Sequence, residues 1–426
     1  MRQHTVVAMA GFLAVMAVGH DVQAKSLEDI LKEKGVITEA EYKEASKAKP
    51  LDYKLGKGFV FTSPDQKFQV QLGGQIQAQY ELDNYEAASK QDVSQFNLRR
   101  VKTLLSGYAF TKDLTYKATY NWANVVKDNT KAMEEVNLKY RVADELQVML
   151  GQEKIQYSRQ WITSNTAQQF VDGSFVRNAF MQGYDTGINL HGDLWQGVVK
   201  YDAGLFGGAG QNTKNKTNDN AYNFRLAFNP LGDMKYGEGD LEHSAKPLVS
   251  LGSSYYLSTL KKTVSGTGST ATSAIDNNNS NFVTDSNGWL GTAVKGKYFG
   301  TAAAENISVD SWEADFACKW LGASMQGEYF WGKAQGEASG KDLIAKGAYV
   351  QAGYFVIPKR LELALRYAWM DPNRQLANDA VSEIQGGVNY FLYGNNLKIQ
   401  GDVGNRHTYK NKSDDLVARA QVQLLF

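Results

Sequence analysis

Sixteen stretches of this chain alternate between apolar and polar side chains, and a period of two confines each of them to a β-strand with two unlike faces. The first shows the pattern: Phe68, Val70, Leu72, Gly74, Ile76, Ala78, Tyr80 and Leu82 are apolar or small, with Gln69, Gln71, Gln75, Gln77, Gln79 and Glu81 between them. The others lie near residues 96–110, 115–123, 133–142, 146–155, 184–191, 197–206, 221–229, 248–257, 308–319, 323–333, 346–357, 361–370, 380–393, 397–407 and 415–426. A single such segment suits a soluble sandwich as well as a membrane barrel, because its apolar face can meet either a core or lipid. Repetition separates the two. The number is even, and each segment has about the nine to eleven residues that a tilted strand needs to cross a bilayer. Short turns such as Thr111-Lys112-Asp113, Ala143-Asp144-Glu145, Pro358-Lys359-Arg360 and Asn395-Asn396 exchange with longer polar loops. All six prolines, Pro50, Pro64, Pro230, Pro247, Pro358 and Pro372, fall outside the segments, where no N–H of a closed sheet is lost. The expected fold is therefore all-β, a 16-stranded antiparallel transmembrane β-barrel over residues 58–426. Closure requires Phe68–Leu82 to pair with Asp415–Phe426.

Both ends of the chain agree with export. Residues 1–24 have the order of a secretory signal: Arg2, an apolar run from Val6 to Val18, then the small-x-small site Val22-Gln23-Ala24. Nothing downstream approaches the roughly 20 consecutive apolar residues of a helical span. The last residues, Val422-Gln423-Leu424-Leu425-Phe426, form an alternating strand with a terminal aromatic, similar to the signal read by the outer-membrane assembly machinery. The expected location is the bacterial outer membrane. Residues 26–48 read as two short helices, with Ser26 capping the first, Gly35 ending it, and Thr38-Glu39-Ala40-Glu41 as a capping box for the second. Their apolar stripe of Leu27, Ile30 and Leu31 is too short to stand alone. Residues 25–50 are thus expected to be a periplasmic helical segment whose partner is a neighbouring subunit. The Ser-, Thr-, Asn- and Gly-rich stretch 260–307 is expected to be a long extracellular loop, part of which can fold over the mouth.

Other classes find little support. One cysteine, Cys318, allows no intramolecular disulfide and reads as an ordinary strand residue. A formal net charge of +1 points to no polyanionic partner such as nucleic acid. Beyond the signal the histidines are His191, His243 and His407, on widely separated segments, and no Gly-x-Ser-x-Gly elbow, Walker loop or cysteine pair accompanies them. Gly266 and Gly268 lie in a polar loop without the helix that a nucleotide site requires. Neither catalysis nor a cofactor or metal is expected.

Three motifs give the chain a resemblance to a known family. Phe96-Asn97-Leu98-Arg99-Arg100-Val101-Lys102 is followed by Gly107; Leu146-Gln147-Val148-Met149-Leu150-Gly151-Gln152-Glu153-Lys154 forms a second motif, and Tyr184-Asp185-Thr186-Gly187-Ile188 a third. From Gly58 onward the chain resembles the phosphate-selective porins O and P. That resemblance implies that Arg100 and Lys102 face the lumen, that Ile155–Gly183 folds inward as a constriction loop, and that the protein is a homotrimer. Tyr157, Trp161, Phe170 and Phe175 would anchor the loop, with Arg159 and Arg177 facing the solute. The chain departs from the family pattern at Ile155, where a proline is usual, and at Gly173 and Tyr184, where arginines are usual. Lys154, Arg159 and Arg177 remain as possible substitutes.

If the apolar faces meet lipid, the opposite faces line the lumen. The inward basic residues are then Lys117, Lys139, Arg141, Lys200, Arg225, Lys319, Arg366, Lys398 and Arg419, against Glu135, Asp202, Glu313, Asp315, Glu328, Glu362, Glu383 and Asp402. Arg100 and Lys102 tip this near balance toward cations. The expected function is passive diffusion of small hydrophilic solutes through a water-filled channel, with a weak preference for small inorganic anions. Arg100, Lys102, Lys117, Lys139, Lys154, Arg159 and Arg177 would provide the contacts. Two alternatives remain: a general or cation-preferring pore, and a poorly conducting structural barrel or sheath.

Overall fold

The computed structural model describes residues 27–45, 51–86, 91–127, 131–276, 278–286 and 288–426; the expected signal segment and the cap at Ser26 lie outside them. The chain divides into two units, Met1–Pro50 and Leu51–Phe426. In the first, helices span Leu27–Glu33 and Glu39–Ala45. Thr38 N donates to the Glu41 carboxylate at 2.7 Å and Glu41 N donates to Thr38 Oγ1 at 3.2 Å, so the expected capping box forms.

The second unit is a closed barrel of sixteen antiparallel strands. They are β1 (Phe68–Asn84), β2 (Val93–Ala109), β3 (Thr111–Asn121), β4 (Met133–Ala143), β5 (Leu146–Lys154), β6 (Tyr184–Leu194), β7 (Val199–Phe206) and β8 (Ala221–Phe228). The rest are β9 (Leu248–Ser265), β10 (Glu305–Trp320), β11 (Ala323–Gly336), β12 (Asp342–Ile357), β13 (Leu361–Asp371), β14 (Val381–Phe391), β15 (Leu397–Thr408) and β16 (Ser413–Leu425). Each pairs with the next, and β16 returns to β1 from Leu416↔Asn84 to Leu425↔Gln75. Closure follows from the solvent: in hydrocarbon an unpaired backbone group costs several kcal/mol, roughly, and only a ring has no edge. Phe426 completes it, donating from N to Gly74 O at 3.0 Å and accepting from Gly74 N at 2.7 Å. A Cβ on Gly74 would run into the Phe426 ring, so glycine is what lets the terminal aromatic lie across the first strand. Beyond that point the hairpin Leu51–Lys54 and Gly58–Thr62 continues along β1, pairing Phe59–Thr62 with Gln69–Leu72.

The two faces of the wall differ as the alternation requires. Leu98, Leu138, Leu150, Leu226, Leu365, Ile384 and Val403 are exposed on the outside, while Gln77, Gln351, Gln385, Gln400 and Gln423 are buried on the inside. An apolar belt of this kind around a polar interior is suited to lipid. Aromatic pairs such as Phe68 with Phe110 and Tyr120 with Trp122 add to the belt.

Two connections differ from the sequence reading. Part of the 260–307 stretch enters the barrel rather than standing outside it. Phe282, Trp289, Leu290, Val294 and Phe299 pack against Tyr256, Ile307, Val309, Phe330 and Leu343, so an apolar core fills the extracellular half of the lumen beside β9–β12. Burial of those side chains, at about 25 cal/mol per Å², outweighs the solubility of the polar residues around them. The exchange of short turns and long loops also breaks once. On the short-turn end, β8 and β9 are joined by 229–247, a long segment whose Met234, Glu238 and Asp240 are each 2% exposed.

Candidate functional site

Residues 155–183 leave β5, cross the lumen and return to β6, as expected of a constriction loop. Locally the loop is a series of short capped turns. Ser158 caps Arg159–Ile162 by accepting from Trp161 N, and Ser174 caps Phe175–Phe180 by accepting from Val176 N. The four aromatics hold it. The Tyr157 hydroxyl lies 2.5 Å from Ser311 Oγ, Trp161 meets Tyr184 at 5.2 Å between rings, Arg366 covers Phe170 at 4.3 Å, and Arg406 covers Phe175 at 5.1 Å. Backbone contacts tie its tip to the wall, with Val171 N donating to Asp402 at 2.8 Å and Asn389 Nδ2 to Gln169 O at 2.8 Å.

Bulges decide which charges face the loop. The β1–β2 register slips between Gln77 and Ala78, whose partners are Arg100 and Leu98, so Arg99 is an extra residue and turns inward beside Arg100. A second slip, between Thr119 and Tyr120, places Glu134 inward beside Glu135 in the same way. Arg99 was not among the expected site residues. Its signal was two successive arginines between Leu98 and Val101, which strict alternation cannot place on one face.

Asp172 at the loop tip is the hub. Arg99 reaches it at 3.0 Å, Arg100 and Arg419 at 3.9 Å each, and Arg366 Nη1 donates to its carbonyl at 3.1 Å. Burial alone would raise the Asp172 carboxyl, but the guanidiniums of Arg99, Arg419 and Arg100 outweigh it and hold the group well below the usual carboxylate range. The loop tip is therefore anionic and clamped.

Five of the seven expected contact residues fall into three sets. Lys102 and Lys117 are ion-paired, to Glu134 at 2.5 Å and Glu135 at 2.6 Å. Arg100 Nη1 donates to Gln77 Oε1 at 2.8 Å, and the guanidinium leans toward Asp172. Lys154 and Lys139 have no carboxylate within ion-pair distance among the described residues. Lys154 Nζ donates to Trp161 O at 3.0 Å and lies 4.8 Å from the indole centre, and Lys139 lines an open cavity.

Arg159 and Arg177 do not face open solute, which corrects the expectation. Arg159 is 1% exposed, 3.6 Å from Asp315 and 2.9 Å from Ser250 Oγ. The acids Asp315 and Glu313, on the wall beneath the loop and already gripping Arg225 at 2.6 and 3.1 Å, draw it in. Arg177 is 5% exposed and has no carboxylate within 4 Å among the described residues; its Nη1 donates to Met181 Sδ at 3.1 Å and its Nε has no partner. A Cβ on Gly173 would overlap the Arg177 guanidinium. Thus Arg177 occupies the space over Gly173, the position where the family pattern has an arginine. At the other departure, the Tyr184 hydroxyl donates to Glu134 at 3.2 Å.

Below the loop, a cavity of about 610 Å³ opens on the β1–β8 side, with Lys117, Lys139 and Lys200 among its walls and Glu135, Glu153 and Asp202 facing them. Lys200 is paired to Asp233 at 2.8 Å. The cavity wall is mixed in charge, and at the loop it meets Arg99, Arg100 and Lys102, paired with Asp172 and Glu134.

Residues 70–426 match the family described as phosphate-selective porin O and P. An uncharacterized protein of Aquifex aeolicus is 25% identical, over 95% of this chain and 94% of its own length. Among solved structures, a loop-deletion mutant of the outer membrane protein OmpT of Vibrio cholerae matches 84% of this chain and 99% of its own at 12% identity and TM-score 0.55. An anion-selective porin from Comamonas acidovorans matches 84% and 100% at 11% identity and TM-score 0.53. The outer membrane channel DcaP of Acinetobacter baumannii matches 86% and 99% at 12% identity and TM-score 0.52.

Proposed function

The chain belongs to the phosphate-selective porin O and P family, and from that premise we propose that its outer-membrane channel for passive diffusion prefers small anions, weakly. One observation carries this reading. Arg99, Arg100, Lys102, Lys154 and Arg177 converge where the loop narrows the lumen, and the acids ion-paired with them are Asp172 and Glu134. A single uncompensated cation at 4 Å in an effective dielectric of 20 attracts an anion by about 4 kcal/mol before desolvation cancels part of it. A residual 1 kcal/mol changes occupancy about fivefold.

The same geometry argues against a strong phosphate site. A dehydrated oxyanion calls for several converging donors free of acids, and here Asp172 and Glu134 already hold three of the five cations. Weak binding also permits exit. The barrel is read as a conduit with no chemical step of its own, and as a homotrimer; a trimer form of OmpT, 10% identical, is the solved parallel. Residues 25–50 are read as a periplasmic segment that contributes to assembly.

A second reading, a general pore, draws on the balanced charges of the lower cavity. Titrating phosphate against chloride current tests the first: block appears only at high phosphate. Block at low phosphate would show that a dedicated phosphate site exists, and no interaction at any concentration would favour the general pore.

A further inference from the structure

The segment 229–247 lies on the end of the barrel where every other connection is a short turn, and it does not hang free. It is tied to the wall at one end by Asp233, paired to Lys200 of β7 at 2.8 Å. Six residues later Gly239 packs on Glu362 of β13, where any Cβ would collide with the carboxylate. Asp240 then accepts from Gly322 N, in the turn between β10 and β11, at 2.8 Å. Six residues reach at most roughly 20 Å, and within that reach the segment passes from β7 to β13 across the lumen floor.

Midway it meets the constriction loop. Tyr236 lies under Arg159, 5.2 Å from ring centre to guanidinium. Glu238 N donates to Ala167 O at 3.0 Å, and the Glu238 carboxylate accepts from Gln160 Nε2 at 2.8 Å, Gln169 N at 2.7 Å and Gln351 Nε2 at 2.9 Å. Two of these donors belong to the constriction loop and one to β12. Gln326 Nε2 of β11 also reaches the carboxylate, at 3.4 Å, and a buried carboxylate shared by amide donors of the loop and of two strands fixes their relative position, because moving the loop breaks these bonds.

We propose that 229–247 is a floor loop inserted from the periplasmic end. Through Glu238, a positioning residue, it sets the height of the constriction loop. It also closes the β9–β13 half of the exit, so that solute leaves only through the cavity beside β1–β8. This rests on the channel reading above.

The experiment measures single-channel conductance and permeability ratio of the full-length protein in planar bilayers. One variant has residues 235–241 replaced by a short Gly-Ser turn, and another is Glu238→Gln. The replacement opens a second exit, and conductance rises roughly twofold with a weaker ion preference. Glu238→Gln keeps the side-chain volume but turns an amide group toward amide donors, so the loop shifts between positions and open-channel noise and substates increase. Should the replacement fail to fold, Glu238→Gln decides alone. A residue that only stabilised the barrel would lower its unfolding temperature and leave the open channel unchanged. Wild-type conductance, noise and permeability ratio in Glu238→Gln overturn the proposal. A wild-type protein without regular conductance steps removes the channel reading itself, and this proposal with it.

Discussion

At Gly173 one absent carbon decides where a charge sits. Because a Cβ there would overlap the Arg177 guanidinium, Gly173→Ala is expected to push Arg177 off its place beside Met181 and Trp161 and to shift the reversal potential toward cations. An unchanged reversal potential would mean that Arg177 contributes nothing to selectivity. Lys154 and Arg159 should part company in the same assay. Lys154→Gln removes a lumen cation that has no acid partner among the described residues, so it moves the potential toward cations. Arg159→Gln instead leaves buried Asp315 with Arg225 as its remaining guanidinium, which costs about 1–3 kcal/mol and shows as a lower unfolding temperature with little change in selectivity. Equal selectivity shifts from both variants would contradict the burial of Arg159. The sequence offered Lys154 and Arg100 through the family motif, and they lie against Trp161 O and Gln77 Oε1. It misplaced Arg159, since nothing local reveals that Glu313 and Asp315, on a strand more than 150 residues away, wait beneath it.

Among elements, the strands were the most legible. Each carries its own period-two pattern, and the required closure of β16 on β1 supplied the register that no single strand contains. The bulge at Arg99 was visible in outline as a broken alternation. The loops were less legible, because their placement depends on distant partners. The apolar residues Phe282, Trp289, Leu290 and Val294 are scattered through a polar stretch and acquire a common face only when they meet Phe180 and Phe330. The segment 229–247 has ordinary loop composition, and its insertion is set by Gln160, Gln169 and Gln351. The constriction loop gives the clearest prediction at this scale. Shortening 155–183 while keeping its two strand joints should raise conductance, since its tip, clamped at Asp172, occupies the lumen. Conductance equal to that of the wild type would place the narrowest point elsewhere.

For the whole molecule, assembly and conduction are separable. The barrel closes on itself from Phe68 to Phe426, whereas residues 25–50 belong to a separate unit with two helices of seven residues each, too short to be stable alone. Deleting residues 25–49 is therefore expected to weaken the proposed trimer on native gels while heat-modifiable migration still reports a folded barrel. A monomeric intact protein would refute the trimer. What the molecule does as a channel follows from two features together: the inner wall is mostly charge-balanced, and the constriction holds more cations than acids. The most direct measurement is the zero-current potential of the wild-type protein across a planar bilayer in a salt gradient. Regular conductance steps are expected, with a potential of the sign that marks a modest anion preference, reduced at high salt as screening shortens the reach of the cluster. A potential of the opposite sign, or a membrane without steps, would contradict this reading.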